Sequence, residues 1–301
     1  MSPKSISPSR LSIYATCPRL YDFRYVQDVN APDRTELYLN QGTIYHETIE
    51  DVCEATDRDD LPEVIHDRAM RTYDVKWDEH SNADDYKSRA HREYQRVENR
   101  AAIESFFDPD GGVGIDHARR SITTECSVEC EVDGRGLHGK ADNVIQTDEG
   151  LHIFDYKRKT HGMLSDKTAE YLVDHLDGEA HEPKRVRNAF QTAAYIEGVK
   201  NEPFYEDGMK VRFSFYGLLN KTSFESTPTG YDVSARGWSR ETTEIYEEHY
   251  TTIWALIRAA HDGITNGTHE PEPFDFLNEE ACPDCDYREM CADRLSTEVR
   301  R

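Results

Sequence analysis

Lysine is scarce in this chain of 301 residues, which holds 11 lysines against 25 arginines. Its 59 acidic residues contribute to a formal net charge of −23 at pH 7. A surface this anionic repels itself, and concentrated salt screens that repulsion. We therefore expect a protein adapted to a high-salt cytoplasm, for which net charge says little against DNA binding. The alternative is an ordinary acidic protein that avoids nucleic acids.

Long apolar runs are absent as well. No stretch approaches the roughly 20 consecutive apolar residues that a membrane-spanning helix needs. The first ten residues, MSPKSISPSR, lack the apolar core of a secretory signal peptide. We therefore expect a cytoplasmic protein without membrane contact. In that compartment cysteines serve metal binding or core packing rather than a disulfide framework.

The seven cysteines fall into two groups. Cys53 lies on the apolar side of a predicted helix over residues 36–57. Cys126 and Cys130 lie on the apolar side of a predicted strand over 120–133, in which apolar and polar residues alternate. We interpret these three cysteines as core residues.

The other group has the spacing of metal ligands. Cys282 and Cys285 form a Cys-x2-Cys pair, and Cys291 follows six residues later. Thiolates in this pattern bind zinc or an iron–sulfur cluster, and both take a fourth ligand. Cys17 is the cysteine left after the core assignments, and a site that includes it would join the two ends of the chain.

The stretch 137–160, LHGKADNVIQTDEGLHIFDYKRKT, predicts two strands joined by a tight turn at 148–150. Side chains two residues apart on a strand point to the same side, so Asp155 and Lys157 share a side. In an antiparallel pair closed at this turn, Asp142 falls opposite Asp155. Two carboxylates and one lysine therefore converge on one patch.

This patch has the groups that phosphodiester hydrolysis needs. Paired carboxylates can hold Mg²⁺ through oxygen ligands. The cation can activate a water molecule and offset charge on a phosphate. A nearby lysine can stabilise developing negative charge. The alternative is a solvated face that carries an ordinary ion pair.

Two predicted helices offer further candidates. In the helix over 36–57, His46 follows Gly42 by four residues, so both lie on one face, and His46 is a third metal ligand or a surface histidine. In the helix over 184–200, Gln191 and Tyr195 share a face in the same way. The second helix begins with basic residues that suit phosphate contacts or an ordinary solvated helix end: Lys184, Arg185 and Arg187.

The rest of the sequence predicts further helices and strands but offers no candidate catalytic residues. Residues 60–107 predict two charged and aromatic helices, which we interpret as an insertion or lid. The other predicted elements are a helix within 7–29, a strand pair over 209–219 and 223–235, and a long helix over 240–266.

Together the motifs resemble the PD-(D/E)xK nuclease superfamily in its RecB-like branch. They are most similar to its iron–sulfur exonucleases, namely the CRISPR-associated RecB-like exonucleases and the nuclease domain of AddB. With the acidic composition, the resemblance suggests a haloarchaeal member. The matching positions follow the order of the family and are Gly42 and His46 (Gly-x3-His), Gly139 and Asp142 (Gly-x-x-Asp), Asp155 to Lys157 (Asp-x-Lys), Gln191 and Tyr195 (Gln-x3-Tyr), and the four cysteines Cys17, Cys282, Cys285 and Cys291.

The resemblance implies a single α/β nuclease domain over 1–301, with a restriction-endonuclease-like core in which helices flank a mixed sheet. Residues 1–30 and 270–301 would together form an iron–sulfur subdomain that joins the two termini. Residues 60–118 would be a helical insertion.

The resemblance also implies roles for the matching residues. The ligands of magnesium or manganese would be His46, Asp142, Asp155 and the backbone carbonyl of Tyr156. Lys157 would assist the attacking water. Gln191 and Tyr195 would position the lysine or the DNA, and the four cysteines would hold a 4Fe–4S cluster.

The implied function is a metal-dependent deoxyribonuclease, an exonuclease on single-stranded DNA ends, in repair, recombination or CRISPR spacer acquisition. Its protein partners would be CRISPR integration or recombination and helicase proteins. Two features depart from the pattern: the interval from His46 to Asp142 is longer than in compact CRISPR-associated members, and Ala141 stands in place of the proline. The alternative is a non-catalytic DNA-binding or adaptor protein that carries an iron–sulfur cluster or zinc.

Overall fold

The computed structural model of the chain describes residues 5–30, 37–227, 230–271 and 274–294. Its centre is a five-stranded sheet in which the strands follow one another in chain order. The neighbouring strands β3 and β4 are parallel, and the other three pairs are antiparallel. The strands are β1 (Ser121–Val132), β2 (Arg135–Thr147), β3 (Gly150–Lys157), β4 (Lys210–Thr227) and β5 (Gly230–Glu241). This confirms the predicted α/β fold with a mixed sheet.

Helices cover both faces of the sheet. The α-helices are α1 (Pro8–Thr16), α2 (Pro18–Tyr21), α3 (Leu37–Glu54), α4 (Pro62–His80), α5 (Arg89–Phe106), α6 (Val113–Arg120), α7 (Tyr171–Asp177), α8 (Pro183–Val199), α9 (Thr243–Glu248), α10 (Tyr250–Asn266) and α11 (Phe274–Glu280). A π-helical turn, Asp22–Val26, continues α2. In the part of the chain that the structure describes, no helix is long and apolar enough to cross a membrane.

Two apolar cores lie on opposite sides of the sheet. On one side, α1, α8 and α10 pack on the sheet around large buried side chains such as Phe190, Phe213 and Trp254. On the other side, α3 to α6 pack around Trp77, Phe106 and other buried rings. Residues 151 to 156 of β3 are all buried, because this central strand is covered on both faces.

The crossover between the parallel strands positions the main helix of the site. Parallel neighbours need a connection that returns across the sheet, and here it contains α7 and α8. A Cβ atom at Gly198 would lie 2.7 Å from Cβ of Val128, so only glycine lets the end of α8 approach β1 this closely.

Two predicted boundaries and part of one predicted alternation were wrong. The strand predicted over 209–219 continues to Thr227, since its outer half pairs with β5 beyond the body of the sheet. The helix predicted over 240–266 is two helices that meet at His249. The alternation predicted for β1 holds from Cys126 to Cys130 but fails at Ile122, which is 38% exposed. The register of β1 against β2 shifts between Ser121 and Thr123, and this irregularity turns Ile122 out of the alternation.

Candidate active site

The centre of the candidate site is the pair of strands β2 and β3. Their register pairs Asn143 with Phe154, which places Asp142 and Asp155 at the next, adjoining positions. Oδ2 of Asp142 accepts a 2.6 Å hydrogen bond from the backbone N–H of Tyr156. The structure therefore brings the two carboxylates together on neighbouring strands, and Asp155 is only 1% exposed.

Lys157 and Gln191 contact the two oxygens of Asp155. Nζ of Lys157 lies 2.5 Å from Oδ2, and Nε2 of Gln191 donates a 3.3 Å hydrogen bond to Oδ1. Oδ2 is buried and accepts no hydrogen bond of ordinary geometry from the described residues. Burial raises the pKa of Asp155, Lys157 lowers it and Asp142 raises it, with a net increase. A divalent cation would stabilise both carboxylates, so these residues fit a metal site.

His46 reaches the same carboxylates from α3. Its Nδ1 atom lies 3.3 Å from Oδ2 of Asp142. Burial lowers the pKa of His46, but the carboxylates of Asp142 and Asp155 together outweigh burial and raise this pKa to about 9. Burial raises the pKa of Asp142, but His46 lowers it by more, so the net change is a decrease. A bound metal would take the place of the imidazole proton.

The two glycines of the motifs have different surroundings. A Cβ atom at Gly139 would lie 2.6 Å from Cε1 of Tyr195, so glycine is needed for α8 to pack its tyrosine against β2. Gln191 lies one helical turn before Tyr195, and this packing sets its distance to Asp155. A Cβ atom at Gly42 would meet nothing within 4 Å, because Gly42 faces an open cleft.

Of the three basic residues at the start of α8, one lines this cleft. Arg187 is exposed beside His46 and Lys157 in the wall of the cleft. Nζ of Lys184 instead donates a 3.0 Å hydrogen bond to the carbonyl of His161. Arg185 pairs with Glu182 and lies over the ring of Tyr171.

The family model of the PD-(D/E)XK nuclease superfamily matches residues 5–292. The chain belongs to this superfamily. Nucleases of this superfamily use divalent metals such as magnesium or manganese. No curated protein matches the chain. A solved structure from Eubacterium rectale, provisionally named an exonuclease, is 14% identical with a TM-score of 0.48, and the match covers 89% of this chain and 83% of that one.

The nuclease cleft also contains charged residues that sequence reasoning missed. They are Glu47, Glu50, Glu125, Lys140 and Arg158. The alternation of β1 places Glu125 on the polar side, opposite Cys126, but does not indicate which groups lie beside it there. In the structure its carboxylate lies among the ligand atoms of His46 and Asp142.

Four cysteines of the nuclease line one cavity between its two ends. These are Cys17, Cys282, Cys285 and Cys291. Phe23 and Tyr287 pack beside Cys291 as a small apolar cluster. Burial raises the pKa of Cys17 to about 11, and the backbone N–H groups of Leu20 and Arg19 offset part of this by pointing at its sulfur.

The other three cysteines are buried elsewhere. Cys126 and Cys130 lie in the core on the α8 side of the sheet, and Cys53 lies in the core on the α3 side. Polar contacts hold the two ends together around the cavity: Arg19 pairs with Asp293 at 2.7 Å, and the hydroxyl of Tyr287 donates a 3.0 Å hydrogen bond to the carbonyl of Val29.

Proposed function

We propose that this nuclease is a metal-dependent deoxyribonuclease that degrades single-stranded DNA from its ends. The observation that carries the proposal is the convergence of Asp142 and Asp155 with His46 and Lys157, two residues that line an open cleft. Magnesium or manganese would be held by His46, Asp142, Asp155 and the Tyr156 carbonyl, and would supply an activated water and stabilise charge on the scissile phosphate.

The protein side chains have separate tasks in this scheme. Asp142 is fixed by the N–H of Tyr156, and Asp155 by Gln191, so neither carboxylate must reorganise to bind the cation. Lys157 has a side chain that is 24% exposed, so its ammonium group can contact both Asp155 and a phosphate in the cleft. There it would orient the attacking water or stabilise the developing negative charge.

The charge of the cleft supports a nucleic acid as substrate. The chain has a large acidic excess, yet this cleft is lined by four basic residues against three glutamates. The basic residues are Lys140, Lys157, Arg158 and Arg187, and the glutamates are Glu47, Glu50 and Glu125. Arg187 makes no ion pair with any residue that the structure describes, which leaves it for a phosphate. Preference for single strands and for ends rests on the resemblance of the motifs to the RecB-like branch, and so do the proposed partners in recombination or CRISPR integration.

We also propose that Cys17, Cys282, Cys285 and Cys291 hold a 4Fe–4S cluster. The support is their shared cavity, its apolar wall at Phe23, and the two N–H groups that point at Cys17. Backbone N–H groups and low polarity are features by which proteins tune such clusters. The cluster would be structural, since it lies between the two chain ends.

The rival is a DNA-binding protein with a metal centre and no turnover. End-labelled single-stranded and double-stranded oligonucleotides, incubated with Mg²⁺ or Mn²⁺, separate the two readings. We expect mononucleotide or short products from linear single strands and no cut in circular single-stranded DNA. Binding without any cleavage would favour the rival, and nicked circles would show an endonuclease.

A further inference from the structure

Glu125 stands beside the metal-site carboxylate on the neighbouring strand. Thr124 pairs with Asn143 and Cys126 pairs with Ala141, so Glu125 lies between them next to Asp142. Its φ of +47° is a conformation that residues with a side chain rarely adopt. Its side chain lies on the face of β1 opposite the buried Cys126.

The carboxylate of Glu125 completes a compact group of ligand atoms. One atom each of His46, Glu125 and Asp142 all lie within 4.8 Å of one another. On the far side of Asp142, the buried Oδ2 of Asp155 contacts Nζ of Lys157 and accepts no hydrogen bond of ordinary geometry from the described residues. Carboxylates on neighbouring strands repel unless a cation lies between them.

Lys140 is the cation that now contacts Glu125. Its ammonium group pairs with the Glu125 carboxylate, and its side chain is 58% exposed. Both residues line the same cleft as His46. An ion pair this exposed stabilises a fold little, so stability alone gives no reason for the unusual backbone of Glu125.

We propose that Glu125 is a further ligand of the catalytic metal, and that Lys140 occupies its carboxylate until the metal replaces the lysine. This inference rests on the proposed metal site of Asp142 and Asp155. In the exchange, the metal gains an acidic ligand and Lys140 is released into the cleft. The released ammonium group is then available to a phosphate of the bound strand.

The test is Mn²⁺ binding to the DNA-free protein at fixed salt, followed by electron paramagnetic resonance. Glu125→Gln should raise the Kd for Mn²⁺ by about 10-fold or more, the range usual for loss of a metal-site group. Lys140→Met should lower the Kd, because it removes the competing cation. The opposite directions identify the exchange.

Glu131→Gln is the matched control, because it removes the same charge from an exposed position on β1. Melting without metal checks that each variant folds. If Glu125→Gln fails to fold, Glu125→Asp keeps the charge but shortens its reach, and it should also weaken Mn²⁺ binding.

Two results would overturn the proposal. Equal Kd values for Glu125→Gln and Glu131→Gln would make Glu125 a partner of Lys140 alone. A raised Kd for Mn²⁺ in both Glu125→Gln and Lys140→Met would show that their ion pair stabilises the site and that Glu125 is not a ligand. Asp142→Asn distinguishes the role of Glu125 from the proposed function. If Asp142→Asn binds Mn²⁺ as tightly as the wild type, the proposed metal site itself is wrong. If Asp142→Asn loses Mn²⁺ binding while Glu125→Gln keeps it, only the role of Glu125 is wrong.

Discussion

The backbone N–H of Tyr156 donates a 2.6 Å hydrogen bond to Oδ2 of Asp142. One carboxylate of the site is thereby tied to the strand that carries the other, Asp155. The distance between the two acidic groups is therefore set by the pairing of β2 with β3.

Replacement of Lys157 should separate catalysis from folding. We expect Lys157→Ala to lower the cleavage rate by about 100-fold or more, as when a group that stabilises transition-state charge is lost. Lys159→Ala is the control, because Lys159 is exposed two residues further along the chain. Single-turnover cleavage with Mg²⁺ or Mn²⁺ measures the effect, and a wild-type rate for Lys157→Ala would show that the site is misassigned.

A methyl group at Gly139 should damage the site indirectly. In Gly139→Ala the new Cβ atom would overlap the ring of Tyr195, and overpacking of this kind costs about 1–3 kcal/mol of unfolding free energy. Urea unfolding measures the loss, with Gly42→Ala as a control that meets no atom. Tyr195→Leu should restore part of the stability of Gly139→Ala, and failure of that rescue would place the clash elsewhere.

Acid should destabilise the fold through His152. Burial lowers its pKa to about 3, with a smaller contribution from Arg212, and its Nε2 lies 2.9 Å from Oγ of Ser214. An unfolded histidine titrates near 6.5. The stabilisation is therefore complete above about pH 6.5 and is lost as pH falls from there towards 3.

The variant His152→Gln isolates this contribution. Between pH 7 and pH 5 its unfolding free energy should fall less than that of the wild type, with a difference of at most about 1.4 kcal/mol per pH unit. Urea titrations at the two pH values measure this difference. An equal loss of unfolding free energy in both proteins would show that His152 does not cause the acid destabilisation.

Salt should stabilise the nuclease. At a net charge of −23 the folded chain repels itself, and the screening length falls from about 10 Å at 0.1 M salt to about 3 Å at 1 M. We expect the melting temperature and the cleavage rate to rise from 0.1 M to molar KCl. A melting temperature that stays constant over this range would end the halophilic interpretation.

The cysteine cavity gives a prediction about colour and metal content. Protein purified without oxygen should be brown and contain about four irons and four sulfides per chain. Cys17→Ala and Cys285→Ala should lose the iron. Cys126→Ala is the matched control because its thiol lies in the core. Zinc in place of iron, or iron retained in Cys17→Ala, would contradict the proposed cluster.

Much of the site was predictable because its motifs are local. The tight turn after Thr147 fixes the register of β2 and β3, and that register alone brings Asp142 beside Asp155. The core cysteines could be told apart from the other cysteines for a similar reason, since alternation on β1 identified Cys126 and Cys130 as buried.

What sequence reasoning missed depends on tertiary packing. Glu125 lies beside His46 and Asp142, and the residue types of β1 signal neither these neighbours nor its left-handed backbone. The extension of β4 is stabilised by β5 and by α5, so its own composition does not set its length. The roles of Lys184 and Arg185 depend on loops that fold over the start of α8, where His161 and Glu182 contact them.

The cavity of the four cysteines has a consequence for the order of biosynthesis. One wall contains Cys17, and the other contains residues as late as Cys291, so no partial chain can form it. In a growing polypeptide Cys17 is therefore made long before its three partners in the wall of the cavity. Loading of the proposed cluster would then be a late step of maturation, and a chain truncated before Cys282 would lack three of the four proposed ligands.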